Sequence, residues 1–180
     1  MTRSPRDGST LWVGLFTAAS ALTTLALACA TPFSALAAIA ATRMRTREGL
    51  ALMTLAWAAS QAIGFCVLDY PRDPRTLAWG VAMLTAALAA VMAARWGARH
   101  ATGRVLPLAT AFGTGFLGYK ATLLAWSFVL GGVHVAASPY WTARQFGREA
   151  LILAGLVALY HGLIRLGVPA PRRTPAATVA

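Results

Sequence analysis

The chain has 180 residues, a length suited to one domain; 58% of them are hydrophobic and only 12% charged, with a mean hydropathy of +0.61. A soluble domain carries about twice that share of charge, so the composition fits lipid rather than water as the surrounding solvent. The net charge is +11, but the arginines fall in twos and threes between apolar runs, without the basic stripe of a nucleic-acid-binding surface.

A helix needs about 20 apolar residues to cross about 30 Å of hydrocarbon. The first run, 11–30, meets that. Arg3, Arg6 and Ala28-Cys29-Ala30 give it the outline of a cleavable signal peptide. Its apolar stretch exceeds the usual h-region, and Ala26 stands where a lipobox carries leucine, so a retained first helix is expected. Thr31-Pro32 then breaks the chain, and Pro32 opens a second helix over 32–42. At about 16 Å this helix is too short to cross unaided, so it must extend into 43–47 or be shielded by neighbours.

The third helix is predicted over 49–68 and ends at Asp69-Tyr70-Pro71-Arg72-Asp73-Pro74. The fourth covers 76–94 and the fifth 105–130, closing at Gly131-Gly132. Residues 131–148 read as an outer loop, and the sixth helix covers 150–167. Residues 1–10 and 168–180 read as flexible tails. The expected architecture is therefore all-α: a six-helix integral membrane bundle forming one domain over 1–180.

Arginine placement orients it. With six helices and both termini on one side, that side holds eleven arginines and the other only Arg72, Arg75, Arg144 and Arg148. The positive-inside rule then puts both ends in the cytoplasm. Lys120 is the one lysine and falls inside the fifth helix.

Polar groups inside hydrocarbon call for a functional explanation. At the expected outer end stand Trp57, Ser60, Gln61 and Phe65 from helix three, Trp79 from helix four, and Trp126 with Ser127 from helix five. Thr31, Ser34, Tyr70, His134, Tyr140 and Trp141 join them from the outer loops. Aromatic walls with a few hydrogen-bonding groups suit a small organic ligand; an interfacial aromatic belt is the plainer explanation of the tryptophans and tyrosines. Gln61, a mid-helix amide, is not a belt residue and bonds either a neighbouring helix or a ligand. Lys120 must face water, a polar group, an anionic solute or a partner, since no carboxylate falls within a predicted span and Glu149 stands at the outer mouth of helix six. His161, beside Tyr160, reads as a packing residue. Gly14 with Ala18, Ala111 with Gly115 and Ala154 with Ala158 have the small-xxx-small spacing of helix-packing faces.

Enzyme signatures are missing: no paired carboxylates in a cleft, HExxH, P-loop or GxSxG elbow. Three scattered histidines and two cysteines without metal spacing argue against a metal or other cofactor. Cys29 and Cys66 behave as small hydrophobes.

Residues 31–80 carry a pattern of their own. Thr31-Pro32-Phe33-Ser34-Ala35-Leu36-Ala37 opens a short helix, an outward helix ends in Gly64-Phe65, and Leu77-Ala78-Trp79-Gly80 follows a proline-rich turn. This resembles the substrate-binding S components of energy-coupling factor (ECF) transporters, which have P-x-x-A-L after helix one and L-A-W-G at the start of helix four. The resemblance implies capture of a vitamin or similar micronutrient at the outer face. It also implies docking onto a transmembrane coupling subunit driven by ATPases, for which Gly14 and Ala18 stand where the family has Ala-x-x-x-Ala. Ser60-Gln61 stands near, without matching, the family's Ser-Asn or Ser-Asp pair.

The expectation is a solute-binding subunit of an uptake transporter in a bacterial inner membrane, with Gln61, Trp79, Lys120, Trp126, His134, Tyr140 and Trp141 as solute contacts and loops 31–34 and 131–148 closing over them. The contrasting expectation is a structural or assembly subunit of a larger membrane complex with no ligand of its own. The excess of arginine at the mouth hints at an anionic solute.

Overall fold

A computed structural model describes residues 5–26, 31–103 and 105–168, with the side chains of α1 described from 10 to 23. Among them are seven helices: α1 Pro5–Ala26, α2 Phe33–Arg43, α3 Thr46–Cys66, α4 Pro74–Arg99, α5 Leu106–Leu130, α6 Val133–Ala136 and α7 Pro139–Arg165. The Ala28-Cys29-Ala30 segment, Arg3, Arg104, Arg172, Arg173 and the tail residues 1–4 and 169–180 lie outside the described residues, whereas 5–10, expected to be a flexible tail, form the first turns of α1.

α3, α4 and α7 are long and apolar enough to cross a membrane. At 25 residues α5 has comparable length and carries Lys120 within it. Large apolar side chains also cover the outside, among them Leu117, Phe128, Val129 and Leu151. Water would penalise such a surface and lipid does not. This is a membrane protein.

Seven helices stand where six were expected; six of them overlap the predicted segments, with shifted bounds, and α6 is additional. α4 runs five residues beyond the predicted end, because Arg95 does not stop it: the guanidinium Nη2 turns inward and donates to Ala40 O at 3.3 Å and Met44 O at 2.9 Å. α4 begins at an Asp73-Pro74 cap, with Asp73 Oδ1 accepting from Arg75 N–H at 2.9 Å and Thr76 N–H at 3.1 Å. The largest departure is α7. The stretch expected to be loop 131–148 is the single-turn α6 followed by the first turns of α7, which starts at Ser138-Pro139. Gly131 (φ 84°) and Gly132 (φ 92°) make the corner between α5 and α6 with dihedrals that side-chain-bearing residues resist.

α2 stands at the centre. Its residues Phe33 to Ala40 are all buried, and it packs against α3, α4, α5 and α7. That resolves its length: an 11-residue helix need not span when its neighbours shield it all round. α4 and α5 form the most extensive pairing, through small residues. A Cβ on Gly115 would meet Ala94 Cβ at 3.2 Å and Ala90 O at 3.3 Å, and one on Gly118 would meet Ala93 Cβ at 2.8 Å. The Ala111/Gly115 pair thus lies on a real seam, whereas Gly14, Ala18, Ala154 and Ala158 are exposed. One apolar core joins Trp12 and Phe16 of α1 to α2–α5 and to Leu153, Leu156 and Tyr160 of α7.

Both ends of α2 are met by charge from distant helices. At its N-terminus the buried Glu149 of α7 accepts from Ser34 N–H at 2.8 Å. At its C-terminus Arg95 of α4 holds the last carbonyls. Anion at the start and cation at the end is the arrangement the helix macrodipole favours. It also provides partners for backbone groups that a helix leaves unpaired.

Candidate functional site

α4 and α7 begin, and α5 ends, at the end of the bundle where α2 begins. There Trp79 of α4, Lys120 and Leu123 of α5, Val135 and Ala136 of α6, and Trp141, Arg144, Gln145 and Arg148 of α7 line an open-sided cavity of about 520 Å³. That size is in the range of small-molecule sites, about 300–1,000 Å³.

Each wall has a sequence cause. Trp141, Gln145 and Arg148 are spaced i, i+4, i+7, so α7 presents them on one face, with Arg144 one turn from Trp141 and from Arg148. Leu123 stands three residues after Lys120 on α5, the next turn of the same face. Trp79 projects from the first two turns of α4. Its neighbour Gly80 turns to α3 instead, where a Cβ would lie 2.9 Å from Gln61 Oε1.

The electrostatics are lopsided. Lys120, Arg144 and Arg148 line the cavity and no carboxylate does. Glu149 is the nearest acid, close enough to act on Lys120, but its oxygens are engaged elsewhere. Oε2 accepts from Ser34 N–H, and Oε1 accepts from Gln145 Nε2 at 3.0 Å. The Arg144 guanidinium lies over the Trp141 ring at 5.6 Å from its centroid, a cation–π contact that restrains both.

Of the residues expected to contact a solute, the structure brings Trp79, Lys120 and Trp141 together on this cavity. The others lie off its wall. Gln61 sits in the α3–α4 seam, its Nε2 3.5 Å from Ser60 Oγ, close to the Trp57 Nε1 donation to Gly80 O at 2.8 Å. The amide packs against Gly80 of α4, and its hydrogen bond is to Ser60 of its own helix rather than to a neighbouring one. Trp126 donates from Nε1 to Thr85 Oγ1 at 2.9 Å and thereby links α5 to α4. His134 is exposed on α6, and Tyr140 is exposed, edge-on to Trp141 with centroids 5.1 Å apart.

Arg144, Gln145 and Arg148 enter the cavity as helix residues rather than from a loop. The expectation that no carboxylate falls within a span is also corrected. Glu149, expected at the mouth of a helix, lies ten residues inside α7 and is 1% exposed. The Ser138-Pro139 pair, a cap followed by proline at the first helical position, was the signal that would have revealed this. Among the described residues no group of histidine, cysteine and acidic side chains could hold a metal ion.

No protein-family model, curated protein or solved structure matches the chain.

Proposed function

We propose that this protein is a membrane-embedded solute receptor, acting as the capture (S-type) subunit of a micronutrient uptake system in a bacterial inner membrane. The observation that carries the reading is the cavity at one end of the bundle, where two tryptophans, a mid-helix lysine and two arginines face a common space of about 520 Å³.

The cavity end is the outer one in this proposal. Arg43, Arg45, Arg47, Arg95, Arg99 and Arg165 gather at the opposite end, against Arg72, Arg75, Arg144 and Arg148 here, so both termini lie in the cytoplasm by the positive-inside rule. Solute would enter between α6 and the start of α7, exchange its water for the tryptophan faces, and align its polar groups with Lys120 and the arginines. Nothing in the chain supplies energy, so release inward requires a transmembrane coupling subunit with its ATPases, as the S-component resemblance implies. The exposed Gly14 and Ala18 on α1 are the face proposed to meet it.

The test is solute retention by the purified protein in lipid, scored by the rise in unfolding temperature across a panel of vitamins and related micronutrients. A solute that stabilises the parent protein but not Trp79→Ala or Trp141→Ala supports the receptor. Stabilisation by none of the panel favours the scaffold.

A further inference from the structure

We propose, on the basis of that receptor reading, that the cavity is an oxyanion site: it takes a solute with a flat apolar body and a carboxylate or phosphate group. Three cations from two helices line the space, and among the described residues none of them makes a hydrogen bond or ion pair to the protein. Like charges facing one space repel, an arrangement that an entering anion relieves.

The nearby acid does not balance them. Glu149, tied to α2 through Ser34 N–H and to Gln145 through Nε2, supplies at most one negative charge against three positive ones, so the cavity retains an excess of positive charge. Snorkelling does not account for Lys120. It lies ten residues before the end of α5, about 15 Å along the helix axis, farther than its side chain reaches. Arg144 is held against Trp141, which leaves the edge of its guanidinium, where the N–H donors are, available for an oxyanion. Trp79, Trp141 and Leu123 supply the apolar surfaces on which a flat body can lie.

The experiment measures binding by calorimetry in phosphatidylcholine nanodiscs. Naphthalene-2-carboxylate and 2-naphthyl phosphate are compared with naphthalene-2-carboxamide, 2-naphthylmethylammonium and inorganic phosphate. A charge-assisted contact is expected to favour the anions over the carboxamide by about tenfold or more. Lys120→Met, Arg144→Gln and Arg148→Gln should each erode that preference, and Arg72→Gln, at the same end but off the cavity wall, should leave it within about twofold. Competition by phosphatidylglycerol nanodiscs would support the same oxyanion chemistry with a lipid headgroup as its source.

Equal binding of anion and carboxamide, with both lost in Trp79→Ala, overturns the oxyanion site and leaves the receptor standing. A preference untouched by the three cavity substitutions, or anions that do not bind at all, also overturns it. The vitamin-panel result for the receptor is read separately.

Discussion

Glu149 offers the sharpest test of how the short central helix is held. Its carboxylate takes Ser34 N–H at 2.8 Å and Gln145 Nε2 at 3.0 Å. Glu149→Ala strands the buried Ser34 N–H, at a cost of about 1–3 kcal/mol, while the Gln145 amide, on the cavity wall, can turn to solvent, so the expected total is about 2 kcal/mol. Glu149→Gln keeps an oxygen for Ser34 N–H, and the Gln145 amide can rotate to present its own oxygen. What is lost is the attraction between the anion and the start of α2, about 1 kcal/mol. Equilibrium unfolding in mixed micelles, followed by far-ultraviolet circular dichroism, resolves that difference. The reasoning is refuted if the alanine variant lies within about 0.5 kcal/mol of the parent, or if glutamine is as damaging as alanine.

Other outcomes follow from the same structure. Arg95→Met should destabilise the protein by about 1–3 kcal/mol, because Ala40 O and Met44 O lose a charged donor, and the loss should show in the same unfolding assay. Gly118→Leu, which drives a side chain into Ala93 across the α4–α5 seam, should cost about 1–3 kcal/mol or more, with Gly118→Ala milder in the same assay. Gly132→Ala meets no neighbouring atom, so its cost, about 1 kcal/mol in unfolding free energy, should come from the positive φ alone. Hydrogen bonds from the Thr76 hydroxyl and N–H, and from Arg75 N–H, hold the Asp73 carboxyl below its ordinary value. The cap's contribution is therefore complete above the unfolded value of 3.8 and fades as pH falls through the lowered folded value. Asp73→Asn should flatten the acid limb of a stability–pH curve while keeping most of the cap.

The rough position of the helices was legible because hydropathy reports lipid exposure directly, and Pro32, Asp73-Pro74 and Gly131-Gly132 mark the turns with residues whose backbones favour them. The start of α7 was hidden by its own purpose. Arg144, Gln145, Arg148 and Glu149 dilute its hydropathy, the first three on the cavity wall and the last buried against α2, and a helix that carries such a polar face looks like a loop to a hydropathy argument. Trp79, Lys120 and Trp141 could be singled out as polar or aromatic residues in unusual places, yet nothing in the linear pattern said that they share one space. Gln61 shows the opposite limit. An amide within a span signals a polar role, but the amide lies in the α3–α4 seam beside Gly80 and off the cavity wall, a fact about helix rotation that spacing alone does not carry.

The reach of α2 across the chain also bears on how the protein is made. Its first-turn N–H at Ser34 finds its acceptor 115 positions later, and the guanidinium that closes its other end arrives more than fifty residues after the helix itself. While the ribosome is still producing α3 and α4, this segment is too brief to bridge the bilayer and lacks both of its anchors. Its final placement must therefore be a late event, completed only when the last long helix leaves the translocation machinery. Chains truncated before Glu149 should leave it as the most protease-accessible of the early segments.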